Sequence, residues 1–224
     1  MSRSPSLPRL LTVAGLLLLA SLAHGTETVE FQVFLDDKTV GDHVFTLEPR
    51  GDELQVTSRA QFDVKLLGFT VYRYRHSAQE RWRGDCLTHL QAETSANGDV
   101  TSVEGAYNSQ GFAVLTRAED AAERRRLGAC VRSFAYWDLA RLRRAERLLN
   151  PQTGEWWAVR VEALDGFSSP ERLAAAREEV RYRLTTPNGE IYLGYDSQGR
   201  WLSLETQLDN GRTLRYQRRD RLGV

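Results

Sequence analysis

From Val29 onward the chain alternates, with apolar residues at every second position and a turn-forming cluster closing each run. Val29, Phe31, Val33 and Leu35 alternate with Glu30, Gln32 and Phe34 before Asp36-Asp37-Lys38 reverses the chain. Residues 40–47 return, Pro49-Arg50-Gly51-Asp52 turns again, and Leu54, Val56, Ala60, Phe62 and Val64 alternate with Gln55, Thr57, Arg59 and Asp63. Neighbouring side chains of a strand point to opposite faces, so a period of two marks strands with one buried face. Gly, Pro, Asn and Asp clusters between such runs mark hairpins. The rhythm continues through a long aromatic run over residues 66–82, with a bend expected at Gly68, and through residues 86–95, 100–108 and 112–117. Asn97-Gly98 predicts a type I′ turn, whose two central residues both need positive φ. Further on, residues 155–164, 180–185, 191–195, 201–208 and 214–217 read as strands. Pro187-Asn188-Gly189, Ser197-Gln198-Gly199 and Asp209-Asn210-Gly211 connect the last four, each with glycine where a tight turn wants it.

The pattern breaks once, in the middle. The charge-rich residues 119–126 read as a loop. Residues 136–149 read as a helix, Tyr136 opening it and Leu149 closing it. Trp137, Ala140, Leu142, Ala145, Leu148 and Leu149 form its apolar stripe, and Arg141, Arg143, Arg144 and Arg147 a basic one. Asp138 falls in the first turn, where the helix dipole favours an acid, and Asn150-Pro151 ends it. Ser168-Ser169-Pro170-Glu171 suggests a second short helix running to Arg177. The expected fold is mainly β. It is an antiparallel meander of about ten strands curled into a β-roll, half-barrel or barrel, because so long a sheet does not stay flat, with one inserted α-helix from Tyr136 to Leu149.

The first residues obey a different logic. Arg3 and Arg9 precede an apolar run over residues 10–22, and Ala23-His24-Gly25 follows. This is the pattern of a cleavable secretory signal with cleavage near Gly25. The run is shorter than the roughly 20 apolar residues of a membrane-spanning helix. The expectation is a periplasmic or secreted protein, with residues 1–25 as signal peptide, residues 26–224 as a single β-rich domain, and no transmembrane anchor in the mature chain. The 30 Lys and Arg balance the 30 Asp and Glu, and loss of Arg3 and Arg9 leaves the mature chain slightly acidic. Such a chain has no electrostatic footprint for nucleic acid. Cys86 and Cys130 are the only cysteines, and in an exported protein two cysteines are expected to pair as a disulfide. A reactive thiol would need a base beside it. Gly84-Asp85 and Gly128-Ala129 look like turns instead, and His89 points to the opposite strand face from Cys86.

The aromatic run carries the candidate site. Tyr72, Tyr74 and Trp82 share one strand face with His76 and Glu80 between them, and Trp137 opens the expected helix. An apolar groove with a few polar groups is the usual form of a small-molecule site, which makes Tyr72, Tyr74, His76, Glu80, Trp82 and Trp137 the ligand-binding candidates. Trp156 and Trp157 are adjacent, so one is expected to face in and one out. His43, His76 and Glu80 are the residues an acid–base or metal site would use. His76 and Glu80 lie ~13 Å apart along an extended strand, however, and no His-x-His, His-Glu-x-x-His or Cys-x-x-Cys spacing occurs. No Gly-x-Ser-x-Gly elbow, phosphate-binding loop or dinucleotide fingerprint occurs either. No metal or cofactor is expected.

Four stretches together resemble one family. They are residues 35–45, Leu-Asp-Asp-Lys-Thr-Val-Gly-Asp-His-Val-Phe; Tyr72-Arg73-Tyr74-Arg75-His76 with Glu80 and Trp82; Ser133-Phe134-Ala135-Tyr136-Trp137; and Leu149-Asn150-Pro151-Gln152-Thr153-Gly154. In these the chain is similar to the exported proteobacterial proteins grouped as domain of unknown function 6134, a resemblance spanning most of residues 29–217. In outline it is also similar to exported β-roll families compared with periplasmic lipoprotein and lipid carriers. The resemblance implies a fold and no activity. Three readings follow. The first is a binding or carrier protein for an apolar or lipid-like ligand, with a cavity between the helix and the aromatic strand. The second is an envelope protein that touches a protein partner, with a filled core and an exposed aromatic patch. The third is a hydrolase-type enzyme in which His43, His76 and Glu80 converge.

Overall fold

The computed structural model describes residues 25–66, 69–164 and 179–221. The expected signal peptide, the bend at Gly68 and the short helix over residues 168–177 lie outside the described residues. One long meander dominates. Strands β1 (Glu27–Leu35), β2 (Lys38–Arg50), β3 (Glu53–Leu66), β4 (Phe69–Arg83), β5 (Cys86–Ala96), β6 (Asp99–Asn108), β7 (Gly111–Ala118) and β8 (Ala121–Leu127) follow one another across the sheet. The irregular middle of the chain holds helix α1 (Leu139–Arg143) and a small two-stranded sheet of β9 (Arg147–Leu149) and β10 (Trp156–Ala158). Strands β11 (Arg160–Ala163), β12 (Val180–Thr186), β13 (Gly189–Tyr195), β14 (Trp201–Gln207) and β15 (Thr213–Arg218) then complete the large sheet. β15 pairs antiparallel with β1, with Val33 opposite Tyr216. Among the described residues the result is thirteen strands in the order β11 to β15, then β1 to β8, open between edge strands β8 and β11.

The expected architecture holds, an antiparallel meander with one α-helix among the described residues, and the strand count there is higher than the ten or so expected. The turn chemistry behaves as the residues dictate. Asn97 and Gly98 have φ of 55° and 106°, the two positive values that a type I′ turn requires. A Cβ on Gly41 would come within 1.8 Å of the Gln61 carbonyl oxygen, so β2 can approach β3 there only as glycine.

Two segments differ from expectation. Residues 119–126 do not form a loop, because Ala121–Leu127 is edge strand β8, paired to β7 from Ala118↔Ala121 to Phe112↔Leu127. Nearly every β8 side chain is exposed, so no buried face imposes alternation. Its run of Arg124, Arg125 and Arg126 is what blunts an edge against further pairing. The helix is confined to Leu139–Arg143 and does not run from Tyr136 to Leu149. Asp138 is its N-cap, accepting from the Arg141 backbone N–H at 2.9 Å. Leu148 and Leu149 are each fully buried, but in two different core clusters. Adjacent residues reach opposite sides only in extended backbone, so this stretch becomes β9, and Ser133 forms a parallel bridge with Leu149.

The inner face of the curled sheet carries both clusters. One gathers Phe31, Phe45, Trp201, Leu193 and Tyr195 around Leu142 of α1. The other gathers Trp82, Leu87, Leu90, Val103 and Phe112 around Val131, Ala135 and Leu149. The residue 130–157 insert thus lies across the concave face as a cover. The Cys86–Cys130 disulfide fastens its start to β5, with Cα atoms 4.9 Å apart, as the two cysteines led one to expect. Among the described residues no helix is long and apolar enough to cross a membrane.

Candidate functional site

The cover does not fill the concavity. Between it and the strands lies a pocket of about 790 Å³, walled by the inner faces of β2, β3, β4 and β15 and roofed by Phe134, Tyr136, Trp137, residues 150–152 and Trp157. The strand alternation read from the sequence sets its floor. On β4 the even-numbered residues face inward, and Tyr72, Tyr74, His76, Ala78 and Glu80 line the pocket in succession. The mouth lies where several hairpins turn, beside Thr186 and Asn188 of the β12–β13 hairpin and residues 208–210 and Arg212 of the β14–β15 hairpin. Val71, Tyr72 and Leu208 border it and are 53%, 38% and 36% exposed.

Of the six binding candidates, Tyr72, Tyr74, His76, Glu80 and Trp137 stand in this wall, whereas Trp82 does not. Trp82 is fully buried in the second core cluster, where the β4 face passes beneath the cover. Trp137 precedes the helix instead of opening it and meets Trp82 edge-on at 5.7 Å. The helix is absent from the pocket lining, and the loop before it forms the roof. Trp156 and Trp157 divide between environments. Trp156 packs on the second cluster beneath Arg147, while Trp157 lines the pocket and meets Phe134 edge-on.

Two histidines stand on the floor. His43, Ala60 and His76 are register neighbours on β2, β3 and β4, so the small Ala60 separates the imidazoles. His43 Nε2 is 2.7 Å from Ser58 Oγ, and the ring stacks on Phe45 at 4.1 Å between centroids. Its Nδ1 is covered and has no hydrogen-bond partner among the described residues. His76 Nδ1 is 2.9 Å from Thr94 Oγ1. Burial disfavours the charged imidazolium, holding His43 at a pKa of about 3, helped by the nearby His76, and His76 at about 4. Both rings are therefore neutral near neutral pH.

Glu80 belongs to another network. Ser133 Oγ donates to its Oε1 at 2.6 Å and Trp82 Nε1 to its Oε2 at 2.9 Å. Burial raises the Glu80 pKa, against these two hydrogen bonds and the charge of Arg141. The Arg141 guanidinium lies 5.2 Å from the Trp82 ring and 5.1 Å from the Trp137 ring, a cation–π sandwich. Asp85, at the β4–β5 turn, faces Arg132, Arg141 and Arg144. The basic stripe of the expected helix is thus turned onto the protein, with Arg143 over Tyr182 and Arg147 over Trp156. Glu80 clasps cover to sheet, and no hydrogen bond joins it to His43 or His76 among the described residues. The three-residue acid–base centre does not assemble. Among the described residues no three His, Cys, Asp or Glu side chains are grouped to hold a metal ion.

Alternation pointed to the β4 face but not to its partners. Ser58 and Tyr216, and Tyr136 in the roof, also line the pocket. A short polar Ser58 and a small Ala60 on the apolar face of β3 were the available signal, since a strand facing a filled core would carry larger apolar groups there.

An open antiparallel sheet curled around a covered pocket is a β-barrel-like architecture. The protein is similar in fold to the crystal structure of a β-barrel-like protein of domain of unknown function DUF1849 from Brucella abortus, with a TM-score of 0.57 and 8% sequence identity over 85% of this chain and 94% of that one. The chain itself belongs to the family described as domain of unknown function DUF6134, whose model matches residues 31–219. No curated protein matches the sequence.

Proposed function

We propose that this protein is an exported binding or carrier protein for an apolar, lipid-like ligand held between the concave sheet and its cover. The observation that carries the reading is the pocket itself. Its volume of about 790 Å³ falls in the range of sites that enclose a small molecule, and aromatic and aliphatic side chains make up the larger part of its wall. A filled core would leave no such space. The Cys86–Cys130 disulfide supports export, since such bonds persist in oxidising compartments. In this reading residues 1–25 are the signal and residues 26–224 the working domain.

The test is mass spectrometry of protein purified gently from a native envelope, first under native conditions and then after organic extraction. The expected result is a mature chain beginning near Thr26 with a stoichiometric apolar adduct that extraction removes. Ala78→Phe, which places a ring on the pocket floor, is expected to abolish the adduct while the protein stays folded by circular dichroism. A bare mass for the wild-type chain from a host that makes the relevant lipids would refute the carrier reading.

A further inference from the structure

The pocket has an unusual distribution of polar groups, and it narrows the ligand class. The inference rests on the carrier reading and specifies its occupant. His43 lies roughly 20 Å along β2 from the Asp36-Asp37 turn at about 3.3 Å per residue, far inside the mouth. Of the pocket-lining side chains, His43 alone carries a covered polar atom, Nδ1, with no hydrogen-bond partner among the described residues. Beside it, Ser58 Oγ makes its 2.7 Å contact with His43 Nε2, and a hydroxyl can form further bonds as donor or acceptor. His76 completes the patch across Ala60.

Charge sharpens the argument. The charged side chains of the lining are Glu80, Asp209 and Arg212. Glu80 is occupied by Ser133 and Trp82. Arg212, at the mouth, donates to Asp36 at 2.8 Å. The imidazoles are neutral, held so by burial. A carboxylate or phosphate reaching this floor would therefore lose its water and meet no free cation, which is strongly unfavourable. Nδ1 is covered, so a ligand meets it when the imidazole turns about its Cβ–Cγ bond, and a purely hydrocarbon ligand would leave it unsatisfied, which is also unfavourable. A hydroxyl avoids both penalties, because it donates to a bare imidazole nitrogen or accepts from a protonated one. The chain attached to it would leave along Tyr74 and Val64 toward Val71, Tyr72 and Leu208.

We infer that the ligand is an uncharged long-chain molecule bearing a hydroxyl, seated with that hydroxyl on His43 and Ser58 and with its hydrocarbon chain directed to the mouth. The polar end is inside and the apolar end faces the opening.

The experiment is displacement of bound N-phenylnaphthylamine fluorescence by three probes of equal chain length: lauryl alcohol, methyl laurate and laurate, at neutral pH. Lauryl alcohol is expected to compete at least about tenfold better than laurate, and several-fold better than methyl laurate, which only accepts hydrogen bonds. His43→Leu is expected to lower the alcohol-to-ester ratio several-fold, to about one. Ser58→Ala, the milder variant, is expected to move the same ratio in the same direction should His43→Leu not fold. Laurate competing as well as lauryl alcohol would overturn the inference and leave the carrier reading standing. So would an alcohol-to-ester ratio unmoved by the substitution. A wild-type protein that binds neither the dye nor any of the three chains would overturn both.

Discussion

Lowering the pH should loosen this protein through two specific side chains. His43 and His76 have folded-state pKa values of about 3 and about 4, against 6.5 for an unperturbed histidine. A folded value below the unfolded one means that, between the two, the unfolded chain binds more protons. Acid then favours unfolding, and stability rises with pH through that window. From about pH 7 to about pH 5 each histidine should remove about 2 kcal/mol, and the pair about 4 kcal/mol, a large part of the 5–15 kcal/mol typical of a domain. Glu80 acts in the opposite sense, because its raised pKa makes the folded state the better proton acceptor above the ordinary carboxylate value. Pocket tyrosines Tyr74, Tyr136 and Tyr216 are shifted upward by burial and do not titrate in this range. A comparison of variants therefore isolates the histidines. Urea unfolding at the two pH values gives the loss for wild type, for His43→Gln and for His76→Gln. Each substitution should flatten the pH dependence by about 2 kcal/mol, whatever it does to stability at neutral pH. Equal pH dependences in wild type and both variants would show that the rings are not held neutral by burial, and the reasoning would fail.

Two further outcomes follow from the cover. Glu80→Ala strips the partners from Ser133 Oγ and Trp82 Nε1 and removes a buried carboxylate that feels the charge of Arg141, so it should destabilise by about 3 kcal/mol in chemical denaturation, more than Ser133→Ala at about 1 kcal/mol. Replacing Cys86 and Cys130 by serine frees a loop of sequence separation 44 and should lower stability by ~4 kcal/mol on the chain-entropy account, with the melting temperature of the oxidised protein falling to that of the reduced one.

The residues differ in how openly they announce these roles. The β4 face was legible because Tyr72, Tyr74, His76, Glu80 and Trp82 keep strict alternation, and one buried side is enough to impose it. β8 was not legible, since both its faces meet solvent and Arg124 to Arg126 satisfy no periodicity. The stretch from Trp137 to Leu149 misleads for a different reason. Its apolar spacing suits a helix, but Leu148 and Leu149 answer to two clusters that only the folded cover brings to either side of them. The pocket floor lay between these cases. His43 stood out by residue type, yet its neighbours Ser58 and Ala60 acquire meaning only once three strands are placed in register, which no local pattern specifies.

The β1–β15 seam has a consequence for how the molecule is assembled in time. Every other neighbour pair in the large sheet is consecutive in the chain, and all of these but β11–β12 close through loops of a few residues, the fast kind of contact. The seam instead joins the first strand to the last, Phe31 opposite Arg218 and Leu35 opposite Leu214, and loop-closure entropy places it last. In a chain made from its N-terminus, β1 waits through the synthesis of every later strand with one side unpaired. Val29, Phe31 and Val33 are then the residues that a nascent-chain chaperone would have to shield, until the final strand arrives and joins the two halves of the sheet.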